Sequence, residues 1–226
     1  MPQKNVIITG ATGNLGKVVT QKFLHAGYTD IATTSHRSTI HAETKNLTYY
    51  NIDLSSEEES NSFFKKAIAA HGLIHAALLL AGGFAPGKLH KTSGEDVTKM
   101  FTLNFKTAFH IAQPAWAHMK ERQEGRIILI GAKPVLNAGE AKNSVAYSFS
   151  KSLIFKLAEI LNAEGKDHNL TASVLVPGTI DTPDNRRAMP NADFSKWISP
   201  DAMADVMLRI CADADYAREN PVISMF

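Results

Sequence analysis

Short apolar runs alternate along this chain with segments whose apolar residues recur every three to four positions. Val6-Ile7-Ile8-Thr9 has the character of a first strand, and Lys17 to Ala26 that of the helix after it. Ile31-Ala32-Thr33-Thr34 makes a second strand, and Thr48-Tyr49-Tyr50-Asn51-Ile52 a weaker third. Ser55 with Glu58, or Ser56 with Glu59, fits a capping box for a helix burying Phe63, Phe64, Ala67 and Ile68. Leu73 to Leu80 is nearly all apolar, as a strand covered on both faces is. Thr92 with Glu95 fits the cap of a long helix ending near Arg122. Arg126 to Ile130 and Ala172 to Val176 follow as strands, on either side of a helix from about Ser144 to Ala163. On that helix Leu153, Ile154, Leu157, Ile160 and Leu161 are expected to share one stripe. Val222-Ile223-Ser224-Met225 adds an edge strand.

This alternation predicts an α/β fold, a doubly wound parallel sheet of about seven strands with helices on both faces. In such a fold ligands lie beyond the C-terminal ends of the strands. With 226 residues the chain suits one Rossmann domain, with a substrate-side loop and helix insertion around 181–200. A hydrophobic share of 44%, 20% charged residues and a net charge of +2 are ordinary for a globular protein. No block of like charge marks a nucleic-acid or membrane surface, so neither partner is expected. The single cysteine, Cys211, excludes an internal disulfide framework and fits a reducing compartment. The N-terminus runs straight into a strand-like stretch, without the pattern of a signal peptide, so a cytoplasmic location is expected.

Between the first strand and its helix stands Thr9-Gly10-Ala11-Thr12-Gly13-Asn14-Leu15-Gly16. Glycines here allow a tight turn, close backbone approach to a pyrophosphate and close helix–strand packing. The N–H groups and positive dipole end of the helix then favour phosphates. Gly10, Thr12, Gly13, Asn14, Leu15 and Gly16 are therefore candidate cofactor ligands. At the end of the second strand a reader of the bare ribose is normally Asp or Glu, but this chain has Ser35-His36-Arg37. Arg37 and Ser35 suit a 2′-phosphate, unless Arg37 is simply a solvated surface residue. NADP(H) is therefore expected in preference to NAD(H). Asp53, with Leu54, follows the third strand, placed either to receive the adenine amino group or to cap the next helix.

Tyr147-Ser148-Phe149-Ser150-Lys151 puts a tyrosine and a lysine one helical turn apart on one face. A phenol near pKa 10 is a poor proton-transfer group at neutral pH, and a nearby ammonium stabilises its anion. The same lysine can reach a nicotinamide ribose. His71 and His75 have ligand-like spacing, but Gly72 breaks any helix between them, so no metal is expected.

With these motifs in their places the sequence resembles the short-chain dehydrogenase/reductases over nearly its whole length. The resemblance implies that Tyr147 and Lys151 are catalytic and that Asn104, in Leu103-Asn104-Phe105, is the family's asparagine in a proton relay. It further implies cofactor contacts from Ala81-Gly82-Gly83 and from Pro177-Gly178-Thr179-Ile180-Asp181-Thr182, the latter at the carboxamide. It also implies a homodimer or homotetramer through helix 144–163. Where the family's fifth strand ends in a catalytic serine, this chain has Gly131-Ala132-Lys133. That departure, Ala81-Gly82-Gly83 and the stretch from Asp181 to Trp197 resemble the dihydropteridine reductase branch. In a carbonyl reductase the serine hydroxyl stabilises a forming oxyanion. A quinonoid dihydropterin takes hydride into a conjugated ring and a proton on nitrogen, so no alkoxide needs stabilising. Phe194 and Trp197 offer rings to stack on such a substrate, or pack on their own helix. The expected activity is reduction of a conjugated, dihydropterin-like heterocycle, with Tyr147 as proton donor. Two alternatives are a reductase of another carbonyl or quinone and a non-catalytic NAD(P)-sensing protein.

Overall fold

A computed structural model describes residues 4–34 and 45–226. Among them seven parallel strands form one sheet in the order β3-β2-β1-β4-β5-β6-β7. The strands are β1 (Asn5–Thr9), β2 (Thr29–Thr34), β3 (Leu47–Asn51), β4 (Ile74–Leu79), β5 (Glu124–Ile130), β6 (Asn169–Pro177) and β7 (Val222–Met225). The order reverses between β1 and β4, and this switch point opens a crevice at their C-terminal ends.

The central strands β1, β4 and β5 are covered on both faces and carry the longest apolar runs, whereas the edge strands β3 and β7 are partly exposed. Successive side chains still divide between the faces. Ile7, Ile127, Leu129, Val174 and Val176 pack on one side, with Phe63, Phe64, Trp116 and Met119. Val6, Ile8, Ile128 and Leu175 pack on the other, with Val19, Phe23, Met203 and Met207.

On the second face lies α1 (Asn14–His25), opposite to which α2 (Glu57–His71) supplies Phe63 and Phe64 to the first. Ser56 caps α2 by accepting from the Glu59 N–H at 3.2 Å. The box is only half made, because the Glu59 carboxylate turns to the Asp53 N–H at 2.8 Å. The long helix expected from Thr92 is instead capped one residue later. Ser93 and Asp96 form a full capping box, while the Thr92 hydroxyl donates to Lys88 O. It runs as α3 (Gly94–Met100), a widened π turn at Phe101–Lys106 and α4 (Thr107–Arg122). Two short helices, α5 (Lys133–Leu136) and α6 (Ala138–Ala141), lead from β5 into α7 (Val145–Glu164).

The stripe expected on α7 divides in the structure. Ile154, Leu157 and Leu161 are buried, whereas Leu153 and Ile160 face outward together with Phe149. A helix only partly sunk into the sheet covers an arc narrower than its apolar sequence allows. After β6 come α8 (Pro183–Ala188), α9 (Pro200–Ala212) and α10 (Ala214–Glu219). α9 and α10 were not foreseen from the sequence; α9 buries Met203, Ala204, Met207 and Ile210. Lys22 of α1 pairs with Asp205 at 2.8 Å and Asp201 at 3.4 Å, tying α9 to α1.

The C-terminal residue of α4 is followed by Gln123 in the left-handed region at φ 59°, a conformation that costs a non-glycine residue about 1 kcal/mol or more. Gln123→Gly is expected to stabilise the fold by about 0.5–1 kcal/mol, read as a higher urea midpoint at unchanged slope. A lowered midpoint would show that the Gln123 side chain supplies more than the backbone strain removes.

Candidate active site

The turn after β1 is built by close approach. Gly10 has φ 65°, and a Cβ there would lie 3.1 Å from the backbone of Ala81. A Cβ on Gly16 would lie 2.1 Å from Gly10 O, so only glycine lets α1 start this near the strand. The Gly13 N–H donates to Gly10 O at 3.0 Å and closes the turn. Thr9 Oγ1 accepts from the Ala81 N–H at 3.2 Å, holding the end of β4 against the turn. Gly13 is the N-cap of α1 without a side-chain cap, and the first turn carries no acidic residue. Such a terminus suits an anion, so the cradle formed by Gly10, Thr12, Gly13, Asn14, Leu15 and Gly16 fits a dinucleotide pyrophosphate.

At the opposite side of the crevice Asn104 is almost fully buried in the π turn. Its Oδ1 accepts from the Gly83 N–H at 3.0 Å, and its Nδ2 donates to Ser150 Oγ at 3.1 Å. Ser150 in turn donates to Tyr147 O at 2.8 Å. The Asn104 side chain thus fastens the loop after β4 to α7. A Cβ on Gly82 would lie 2.7 Å from Asn104 Oδ1 and 3.6 Å from Lys151 Nζ, so Gly82 passes close by the lysine.

Tyr147 and Lys151 lie one turn apart on α7. Lys151 is buried, and its Nζ donates to Ile130 O at 2.8 Å, at the end of β5. Burial disfavours the charged form of each group, pushing the lysine down to about 8 and the phenol up to about 12. The tyrosine ring as a whole stays partly open to solvent, so the upward shift comes from the protein packed around the phenol. Ala132, two residues beyond Ile130, is buried and brings no hydroxyl to this end of β5.

The sixth strand ends at Pro177. The Gly178 N–H donates to Met225 O at 2.9 Å, and Ile180 bridges Ile198, with the Asp181 N–H on Ile198 O at 2.8 Å. Residues 181–198 therefore form an arch with both feet pinned together. Thr182 is buried and caps α8 by accepting from the Asn185 N–H at 3.2 Å. Asn14 Nδ2 donates to Asp184 Oδ2 at 2.6 Å, joining the arch to the phosphate turn. Within it Arg186 makes a two-pronged pair with Asp181, at 2.6 and 2.7 Å. Asp53 Oδ1 accepts from both the N–H and the hydroxyl of Ser55, a turn just ahead of α2, while the helix cap itself is Ser56. The neighbouring Leu54 carbonyl accepts from His110 Nδ1 at 3.0 Å. Ser35 and Arg37 lie outside the described residues.

The profile of the short chain dehydrogenases matches residues 4–193. The chain belongs to that family. An acetoacetyl-CoA reductase of Acinetobacter sp. is 29% identical over 192 residues, 80% of this chain and 76% of that protein. A dihydropteridine reductase of Dictyostelium discoideum is 26% identical over 229 residues, covering 99% of this chain and 94% of that one. The NADP-bound structure of ElxO superimposes with a TM-score of 0.87 at 22% identity, covering 99% and 97% of the two chains. As a short-chain dehydrogenase the protein is an NAD(P)-dependent oxidoreductase acting on a small molecule. Among the described residues no cluster of side chains could hold a metal, and no helix is long and apolar enough to cross a membrane.

One residue that bonds within this site was not singled out from the sequence. Ser150 was read only as part of the Tyr147–Lys151 spacing, and its place three residues after Tyr147 on a buried face was the available signal.

Lys151 gives a measurable pH signature. An unfolded lysine stays protonated to about 10.5, the buried one only to about 8, so the unfolded state binds more protons between those values. The native chain should gain stability relative to Lys151→Met as pH rises through that window, and the difference should be constant below it. Paired denaturant titrations from pH 7 to 10.5 read this directly. A difference that stays flat above pH 8 would mean that the ammonium is well solvated.

Proposed function

We propose that this protein reduces a flat conjugated heterocycle of quinonoid-dihydropterin type, with NADPH as the preferred donor and Tyr147 as the proton source. The observation that carries the reading is Ala132, buried at the end of β5 beside the carbonyl that holds Lys151, where the family keeps a serine. A hydroxyl there matters when an alkoxide develops, and an electron-poor ring protonated on nitrogen develops none. The dihydropteridine reductase relative, alignable over nearly the whole chain, supports the same substrate class. Reduced nicotinamide bound at the crevice supplies the hydride. The turn from Gly10 to Gly16 would hold its phosphates, and Ala81, Gly82, Gly83 and Pro177 to Ile180, with Thr182, would hold its nicotinamide end. Tyr147 donates its phenolic proton to a substrate nitrogen, and Lys151 stabilises the phenolate until solvent reprotonates it. Asn104 positions the loop and helix. One dinucleotide-binding domain carries this site, the segment around 181–200 covers its substrate side, and the outward stripe of Phe149, Leu153 and Ile160 on α7 is the interface of a cytoplasmic homo-oligomer.

The acetoacetyl-CoA reductase relative favours a second reading, reduction of a 3-oxo thioester. Steady-state NADPH oxidation with quinonoid dihydropterin and with acetoacetyl-CoA separates the two. Dihydropterin turnover is expected, and Tyr147→Phe should lower it by about 10²–10⁴-fold. Ala132→Ser should leave it nearly unchanged while raising thioester reduction. Turnover of the thioester alone, or a large gain in dihydropterin turnover on adding the hydroxyl, would overturn the assignment. Turnover of neither would favour a nucleotide sensor.

Cofactor choice is proposed to rest on Arg37, since no acid stands between Thr33 and Arg37 to bind the ribose hydroxyls and repel a 2′-phosphate. A charge-assisted bond to that phosphate gives NADPH an advantage on the order of tenfold to a hundredfold. Dissociation constants for both cofactors should show it, and Arg37→Ala should abolish it. A preference that survives the substitution, or an outright preference for NADH, would contradict the proposal.

A further inference from the structure

The sequence offers Phe194 and Trp197 as rings for a flat substrate, but the structure uses both internally. Their centroids are 4.7 Å apart, and the Arg186 guanidinium lies 4.7 Å over Phe194. A different ring stands at the site. Phe84 is 64% exposed, and it meets Tyr147 edge to face at 5.0 Å and 76°.

A single exposed aromatic residue is unremarkable on a protein surface. Phe84 differs because its backbone is fixed on both sides. Upstream, the Gly83 N–H is held by Asn104 Oδ1 at 3.0 Å, and a Cβ on Gly83 would lie 2.6 Å from Leu103 Cδ2. Downstream, the Gly87 N–H donates to Asn143 O at 2.8 Å, and Gly87 O accepts from the Val145 N–H at 2.9 Å. Val145 is the first residue of α7, two positions before Tyr147. The loop that carries Phe84 is thus strapped to the helix that carries the phenol, which fixes where its backbone stands relative to Tyr147. In that position the ring leaves most of its surface open beside the phenol. An aromatic face in that position takes a planar, electron-poor ring by offset stacking, and gains little from an aliphatic chain.

We infer that Phe84 is a specificity-determining residue, the platform on which a planar conjugated substrate stacks next to Tyr147. The inference rests on the reading of Tyr147 as the proton donor and adds to it a reason for selecting flat rings. It leaves Phe194 and Trp197 as the internal packing of the arch.

The test uses the full-length, NADPH-saturated protein with Phe84→Leu, which keeps an apolar side chain, and Phe84→Tyr, which keeps the ring. Binding of 6-methylpterin, followed by quenching of its own fluorescence, needs no turnover. Loss of one stacking contact should weaken binding about three- to tenfold in Phe84→Leu, and Phe84→Tyr should stay within about twofold of the native protein. With quinonoid dihydropterin, KM should rise by the same factor in Phe84→Leu while kcat holds, because the phenolic hydroxyl that gives the proton is retained. Because Phe84 is exposed, both variants should melt like the native protein, which checks the fold. Equal pterin affinity in native protein and Phe84→Leu, equal losses in both variants, or a fall confined to kcat would each overturn the platform. Phe84-dependent binding without turnover would sink the reductase reading and leave the platform standing. Turnover with Phe84-independent binding would do the reverse, and absence of pterin binding by the native protein would sink both.

Discussion

There is no room for a side chain between the turn after β1 and the end of β4, and the layout of the site follows from that closeness. Gly10 takes a left-handed φ with Ala81 against its Cα, and Gly16 brings α1 onto Gly10 O. Thr9 then ties Ala81 by a hydrogen bond. The amides that open α1 and the loop leaving β4 therefore face the same crevice, one end suited to phosphates and the other leading to Gly82, Gly83 and the buried lysine. Any Cβ at Gly16 would push the helix away from the strand and open both ends at once.

From there the chemistry depends on desolvation. Burial moves Lys151 and Tyr147 in opposite directions, each toward its neutral form, so the pair is sensitive to any charge brought beside it. The lysine is anchored to Ile130 O, the tyrosine's helix to the loop after β4 through Asn104 and Ser150. The arch from 181 to 198 is pinned at its feet and bonded to the glycine turn through Asn14 and Asp184. Two residues past the carbonyl that holds Lys151 the chain has a buried alanine, Ala132, with no hydroxyl to offer.

The central strands were legible because a position covered on both faces favours apolar residues, and the turn was legible because glycine has few substitutes there. Boundaries and caps were less so. Thr92–Glu95 and Ser93–Asp96 have the same spacing, and only the geometry of the preceding chain selects the second. On α7, apolar spacing gave the stripe, but Leu153 and Ile160 turned out to face outward because the sheet covers a narrower arc. α9 was missed altogether, although its Met203, Met207 and Ile210 close the second core.

By itself the sequence determined the fold class, the phosphate turn, the Tyr147–Lys151 pair and the loss of the serine, since each is a local pattern or a single residue identity. Tertiary structure decided the rest, because those properties depend on neighbours distant in the chain. It joined the loop after β4 to α7 through Asn104 and closed a turn between Asp53 and Ser55 ahead of the helix that Ser56 caps. It tilted Phe194 and Trp197 against each other while leaving Phe84 open beside the phenol. Which ring is free and which amide is bonded is settled by packing, and packing is the property that spacing along a chain does not encode.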